Sequence, residues 1–163
     1  MGVTIHYEGK ASSAEHVGDI LAMAAAYATD HGWAASARDH GLVLVPHDLC
    51  EPLELSFSDV VLVPSWVKTQ FAGPDVHVAV VDLFRRLAPS FCKLQVGDDA
   101  QYWESGDLEV LKDAFDQVEE GLAAALQEPD SSGPYRLPSG RIVDVLTGQP
   151  PEGFPRIPFR SRR

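Results

Sequence analysis

Four short apolar segments in the middle of the chain constrain the fold more than any other feature. They are separated by brief polar connections and occupy residues 33–37, 42–45, 53–57 and 60–63. Two of the connections, Asp39-His40-Gly41 and Ser58-Asp59, are typical of tight turns. Because strands joined by tight turns have to run antiparallel, this region predicts an antiparallel sheet.

Helical patterns and two further strands surround this region. Ser12-Ser13-Ala14-Glu15 is a capping box, and apolar residues then recur at helical spacing. Pro74 and Asp107 begin two more helical patterns, and residues 3–7 and 92–96 have strand composition. The order is strand, helix, four strands, helix, strand, helix. It predicts an α+β fold in which three helices cover a mainly antiparallel sheet.

The end of the chain differs in composition from the rest. Residues 128–134 combine Pro, Gly, Ser and Asp, which is typical of a linker. We therefore predict an acidic α+β domain over residues 1–128, called the body. Residues 129–163, called the extension, are predicted to hold a linker, a small hairpin around Pro138-Ser139-Gly140 and a basic, Pro/Arg-rich extended end.

Charge is divided unevenly between the body and the extension. Residues 1–128 hold 21 Asp and Glu against 7 Lys and Arg, residues 129–163 hold 3 against 6, and the whole chain has a net charge of −11. Because nucleic-acid binding needs clustered cations, this balance argues against nucleic acid as a ligand of the body. It favours another protein with a basic surface as the partner. Four arginines of the extension are predicted to dock on an acidic surface, either of a partner or of the body itself: Arg156, Arg160, Arg162 and Arg163.

Several common signals are absent from the sequence. No apolar run approaches the ~20 residues that span a bilayer, and no export signal precedes the first strand. We therefore predict a cytoplasmic protein without a membrane partner. No phosphate-binding loop, dinucleotide fingerprint, nucleophile elbow or zinc-protease motif occurs. The sequence predicts no cofactor, identifies no catalytic residue and leaves open whether the protein is an enzyme.

The strongest candidate site is the segment 64–71, which leads from a strand into the second helix. Alternation places Trp66, Lys68 and Gln70 on one side of it, and His77 follows within the helix. A lysine and an amide near the start of a helix can bind a carboxylate or a phosphate. The alternative interpretation is an amphipathic edge strand whose lysine discourages aggregation.

The loop before the third helix is the second candidate. Tyr102, Trp103 and Glu104 lie there among acidic residues, and exposed aromatic side chains often anchor protein contacts. In the alternative interpretation, Trp103 packs against the edge of the domain while Ser105 or Asp107 caps the helix.

A third pattern is the spacing of His47 and Cys50. Two such side chains can begin a zinc site, but a structural zinc site needs four ligands, and the sequence has no second pair at this spacing. We therefore predict no metal. Without an export signal, Cys50 and Cys92 are interpreted as free thiols.

Three segments resemble those of a known family. They are Gly2-Val3-Thr4-Ile5-His6-Tyr7-Glu8-Gly9-Lys10, Lys68-Thr69-Gln70-Phe71 and Tyr102-Trp103-Glu104-Ser105-Gly106-Asp107. The chain resembles an uncharacterised family of small bacterial cytosolic proteins over about residues 2–120. The resemblance implies a bacterial, cytosolic protein, and it implies no activity and no catalytic residues.

Two functions follow from these patterns as hypotheses. The first is a non-enzymatic protein-interaction module of the bacterial cytosol, immunity- or inhibitor-like, with an acidic body and a basic docking tail. The second is a small-molecule enzyme or sensor whose pocket gathers five side chains: His6, Lys68, Gln70, His77 and Tyr102. In that pocket Lys68 would hold an anionic group and His77 would act as acid or base. An exposed aromatic surface favours the first hypothesis, and convergence of the five side chains favours the second.

Overall fold

One antiparallel sheet of six strands forms the centre of the molecule. The structure, a computed structural model, describes residues 2–159. The strands are β1 (Thr4–Ala11), β2 (Ala34–Arg38), β3 (Gly41–Val45), β4 (Leu53–Ser58), β5 (Val61–Lys68) and β6 (Phe91–Asp98). Their order across the sheet is β2-β3-β4-β5-β1-β6, and every neighbouring pair is antiparallel. The arrangement predicted from the tight turns is confirmed.

Four helices accompany the sheet within residues 2–159. They are α1 (Ala14–Asp30), α2 (Pro74–Leu87), α3 (Tyr102–Ser105) and α4 (Leu108–Ala125). The α+β class is confirmed, whereas the single turn of α3 was not predicted because it is too short to show helical periodicity. The predicted capping box Ser12-Ser13-Ala14-Glu15 would make Ser12 the cap of α1, but Ser13 is the cap, and its hydroxyl accepts from the N–H of His16. Of Ser105 and Asp107, the two caps considered for α4, Asp107 is the one used, and its carboxylate accepts from the N–H of Glu109. None of the described helices is long and apolar enough to cross a membrane.

The main core lies between one face of the sheet and helices α1 and α2. On β5, Leu62 and Val67 are fully buried in this core. Val61 and Trp66 lie on the opposite side of the same strand and are 45% and 44% exposed. Alternation at each end of β5 therefore separates a covered face from an uncovered one. Because Leu62 and Val67 are five positions apart, the strict period of two is interrupted between them, where the register with β1 shifts between Tyr7 and Gly9.

A smaller second core joins α4 to the start of β1. It consists of Val3, Ala100, Leu111 and Phe115, all of them buried. These contacts involve the first half of α4. The second half of α4 lies beside the other side of β1 and β5. We call this side the open face, and it carries Thr4, His6, Trp66 and Lys68.

Strands β4 and β5 pair only near their shared turn. Phe57 faces Leu62 in this register, and one further pair completes it. Beyond that point the strands separate, and the Tyr7 hydroxyl lies between them, donating to the carbonyl of Glu54 and accepting from its N–H. Farther along the gap, the Glu51 carboxylate accepts from the backbone N–H of Lys68 at 2.8 Å. The gap therefore exposes backbone groups of β5 to side chains from elsewhere in the chain.

The extension folds back on the body beside this gap. It forms two small pairs of strands, β7 (Ser131–Ser132) with β10 (Leu146–Thr147) and β8 (Tyr135–Arg136) with β9 (Ile142–Val143). The hairpin predicted around Pro138-Ser139-Gly140 is thereby confirmed. The buried apolar side chains of the extension belong to neither core: Tyr135, Ile142 and Ile157.

The body alone, residues 1–128, is expected to fold and to melt cooperatively. Its two cores contain no residue of the extension. Loss of the polar contacts described below and of the buried Ile142 side chain should lower its free energy of unfolding by about 3–5 kcal/mol relative to the full chain. Urea unfolding followed by circular dichroism measures this difference. A truncated protein without a cooperative transition would contradict the predicted boundary at residue 128.

Candidate functional site

A groove runs over the open face, between α4 and the extension. Its volume is about 840 Å³. The open face forms its floor, with Gly2 and Asp99 at the edge. The two walls are residues 117–125 of α4 and residues 143–145 of the extension. The lining side chains of the walls are mostly apolar: Val118, Leu122, Ala125, Val143 and Val145. Concave, largely apolar surfaces with a few polar groups are typical of binding sites.

One ion pair and one contact between a histidine and a carboxylate lie in the lining of the groove. Lys68 Nζ is 2.7 Å from Asp144 Oδ1, with both side chains largely buried, and it also donates to the carbonyl of Ile142. His6 Nε2 is 3.8 Å from Asp99 Oδ1 in a more exposed position. Lys68 therefore already has an anionic partner, with which any anionic ligand of the groove has to compete.

Trp66 is the largest exposed aromatic side chain of the open face. The guanidinium carbon of Arg141, in the extension, lies 4.3 Å from the centre of the Trp66 ring. The same guanidinium donates to the carbonyl of Trp66 and to the hydroxyl of Ser65. Stacking of this kind is favourable because the ring face is electron-rich. One side of Trp66 is thus covered by a cation that the chain itself supplies.

Glu51 holds this arrangement together from inside the gap between β4 and β5. The residue is 1% exposed. Its carboxylate accepts from the backbone N–H groups of Lys68 and Ile142, each at 2.8 Å, and lies 3.6 Å from Arg141. A buried carboxylate needs such partners because desolvation of its charge is costly. Glu51 was not among the predicted site residues, because a single carboxylate between Cys50 and Pro52 gives no sign in the sequence that it is buried.

A second, smaller depression adjoins the groove across His6 and Trp66. Its volume is about 260 Å³, and its lining includes Glu8 and Gln95. Together the groove and the depression hold three carboxylates (Glu8, Asp99, Asp144) and one ammonium group (Lys68) among the described residues. The concave surface therefore has an acidic balance, like the body as a whole, and favours a cationic ligand.

His77 lies in a buried polar network away from the groove. Its Nε2–H donates to Asp98 at 3.0 Å, and its Nδ1 is 2.8 Å from the hydroxyl of Thr69. The Asp98 carboxylate also accepts from the N–H groups of Ala100, Tyr102 and Trp103. The order hydroxyl, imidazole, carboxylate is that of nucleophilic catalysis, but Thr69 and His77 are 0% exposed. This burial gives a substrate no access to His77, and the network serves to fix α2, β6 and α3.

Gln70 turns away from the groove because β5 ends at Lys68. Its side-chain oxygen accepts from the N–H of Val3, and its Nε2 is buried without a hydrogen-bond partner among the described residues. It lines a separate cavity of about 510 Å³ at the start of α2, beside Phe71 and Lys112. The structure therefore brings His6, Trp66 and Lys68 together, but places Gln70 elsewhere.

The predicted aromatic loop forms α3. Tyr102 and Trp103 are partly buried against the main core. The Arg85 guanidinium donates to the Trp103 carbonyl at 2.6 Å and lies 4.7 Å from the centre of its ring. Glu104 is exposed, and Asp107 caps α4. This environment agrees with the packing interpretation of Trp103 better than with an exposed contact.

His47 and Cys50 do not converge on a common point. His47 Nδ1 accepts from the N–H of Leu49, and the Cys50 thiol points to the carbonyl of Lys68. Burial, together with the charge of Glu51, raises the pKa of the Cys50 thiol to about 12. Within residues 2–159, no group of three or more His, Cys, Asp or Glu side chains is placed to hold a metal ion.

The arginines of the extension contact the chain in different ways. Arg136 donates to the carbonyls of Asp48 and Cys50 in the body. Arg156 donates to Gly133 within the extension itself. The other arginines predicted to dock on an acidic surface lie outside the described residues: Arg160, Arg162 and Arg163. Fold-back on the body is thus observed for Arg136 and Arg141, and docking on a partner stays a prediction.

Comparisons with known proteins return no relative. No family model matches the chain, and no curated protein or solved structure matches it significantly. The resemblance inferred from residues 2–120 therefore stays a prediction.

Proposed function

We propose that this protein is a non-enzymatic protein-interaction module that binds a basic segment of another protein across its open face. The observation that carries this proposal is the exposed Trp66 on the floor of a groove with an acidic balance. Tryptophan is the residue most often found at the energetic centre of protein interfaces. An acidic body also speeds association with a basic partner. Inhibitor and immunity proteins are of this class.

The reaction chemistry of the chain supports a binding role over a catalytic one. The hydroxyl, imidazole and carboxylate network at His77 is sealed, and the Cys50 thiol is buried with a raised pKa. Lys68, the ammonium group of the groove, is already paired with Asp144 within the protein. The open face thus offers shape, apolar surface and charge to a ligand.

Replacement of Trp66 tests the proposal. We expect Trp66→Ala to lower retention of a basic partner from an extract of the native organism roughly thirtyfold, since a tryptophan anchor contributes about 2 kcal/mol or more. Retention is measured by quantitative mass spectrometry on immobilised full-length protein.

Met23→Ala is the matched control. Met23 is also an exposed large apolar side chain, 38% exposed, but it lies on α1. It should retain the partner as the wild type does. Equal retention by Trp66→Ala, with its thermal melt unchanged, would refute the open face as the binding surface.

A small-molecule sensor is the second candidate, and the size of the groove favours it. About 840 Å³ lies within the range of ligand pockets. Native mass spectrometry of the purified full-length protein separates the two functions. A metabolite that is bound to the wild type and absent from Gly121→Leu, a substitution in the lining of the groove, supports the sensor. A stoichiometric protein partner supports the interaction module.

A further inference from the structure

Residues 141–145, which we call the latch, contact the open face in the manner of a bound peptide. Arg141 stacks on Trp66 and pairs with Glu51. The next backbone N–H, that of Ile142, donates to the same Glu51 carboxylate at 2.8 Å. Three positions after the arginine, Asp144 pairs with Lys68. Trp66 and Glu51 therefore recognise the arginine side chain, Glu51 also recognises the main chain, and Lys68 recognises the aspartate side chain.

The latch is attached by polar contacts and by one buried apolar side chain, that of Ile142, which belongs to neither core. The two hydrophobic cores hold no residue of the extension. Its strands are each two residues long, so they contribute few main-chain hydrogen bonds of their own. A segment held by ion pairs, hydrogen bonds, one stacking contact and one buried isoleucine outside both cores can leave and return while the cores stay intact. Core-packed elements cannot do so.

Resting on the proposed function, we propose that the partner binds through an extended segment in which an arginine is followed by an aliphatic residue and, three positions after the arginine, by a carboxylate. The latch occupies this site in cis. Trp66 and Glu51 select the arginine, Glu51 also selects an extended main chain, and Lys68 selects the carboxylate.

Occupation in cis sets a threshold for the partner. A segment tethered by a short flexible linker acts at an effective concentration of about 1 mM or more. A partner segment with the same contacts therefore has to be present above this effective concentration, or to bind more tightly than the latch, in order to displace it. Displacement of the latch also removes the wall formed by residues 143–145 and so widens the groove.

The test uses the latch sequence itself as the probe. A fluorescein-labelled peptide of residues 137–147 is titrated with full-length wild type and with the double variant Arg141→Ala/Asp144→Asn, and binding is followed by fluorescence anisotropy. We expect the peptide to bind the double variant at least about tenfold more tightly than the wild type, because the variant weakens the competing latch. The single variant Arg141→Ala provides a milder opening if the double variant melts at a lower temperature.

Two controls make the result specific. Arg156→Ala changes an arginine whose side chain, among residues 2–159, donates to Gly133 of the extension and not to the body, and it should bind the peptide as the wild type does. A peptide with alanine in place of its arginine should bind none of the proteins. Equal affinity for wild type and double variant overturns the inference, and so does the absence of peptide binding when the double variant is titrated up to roughly 1 mM.

This test and that of the proposed function can fail separately. Peptide binding to the double variant together with full partner retention by Trp66→Ala would refute the open face as the partner surface and leave the latch site as an internal contact of the chain. Partner loss in Trp66→Ala without peptide binding would refute only the sequence pattern proposed for the partner.

Discussion

Replacement of Asp98 by alanine is expected to lower the free energy of unfolding by about 3–5 kcal/mol, which is typical for removal of one member of a buried charged network. The side chain is fully buried and accepts from His77 Nε2 and from three backbone N–H groups. Alanine has no acceptor atom, so it leaves all four donors buried without a partner. Urea unfolding of wild type and variant measures the loss.

Asp98→Asn separates the hydrogen bonds from the charge. The amide keeps one acceptor oxygen but introduces a donor facing other donors, so we expect a loss smaller than that of alanine. Asp99→Ala is the matched control, because Asp99 is the neighbouring carboxylate and is exposed beside His6. It should change stability by less than about 0.5 kcal/mol. Equal losses at the two positions would contradict the role assigned to the buried network.

The same carboxylate predicts a pH dependence. Burial by itself raises the pKa of Asp98, but the hydrogen bond and charge of His77, with the N–H groups of Trp103 and Ala100, hold it below its ordinary value of 3.8. A carboxyl group with a lower pKa in the folded state stabilises the fold above its unfolded pKa, and this contribution is lost as the pH falls through the folded pKa. Wild-type stability should therefore decline from about pH 4 downward, and that of Asp98→Asn should decline less.

A substitution on α4 that fills the groove is expected to have the second large effect, a loss of partner retention. Gly121 lines the groove, and a Cβ built on it has no atom within 4 Å. Gly121→Leu should therefore place its side chain in the groove without a clash and reduce partner retention at least about tenfold. The fold should become slightly more stable, since glycine inside a helix costs about 0.5–1 kcal/mol relative to alanine.

Gly18→Leu is the control for this substitution. Gly18 lies on α1, is exposed, and also has no atom within 4 Å of a built Cβ. Both variants gain helix propensity, but only Gly121→Leu occupies the groove. Thermal melts check the gain in stability, and retention from extract checks binding. Wild-type retention by Gly121→Leu would exclude the groove as the binding surface.

The local features of the fold were predictable because each depends on residues close together in the sequence. Both helix starts lie where the sequence predicted them, since a cap is decided within three or four positions, although Ser13 rather than Ser12 caps α1 and Asp107 rather than Ser105 caps α4. The opposite sides of Trp66 and Val67 follow from the period of two along a strand. The same alternation failed for Gln70, because the strand ends at Lys68 and the chain turns there.

The candidate site was only partly predictable. Trp66, Lys68 and His6 do line one groove, as paired positions on adjacent strands allow. The predicted convergence of His77 with them does not occur, because helix periodicity places His77 on the buried side of α2, where Asp98 and Thr69 receive it. Glu51 was missed because a carboxylate in a loop gives no sign of burial until its donors are known.

The sequence by itself determined the order of the long helices and strands of the body, the antiparallel pairing of the strands joined by tight turns and the acidic balance of the body. Tertiary structure alone decided that Glu51 and Lys68 meet Arg141 and Asp144, which lie more than 70 positions away. The separation of β4 from β5 admits these partners. Turns, caps and alternation are set by short-range sterics and hydrogen bonds, whereas the pairing of distant charges depends on where the packed sheet leaves a gap for them.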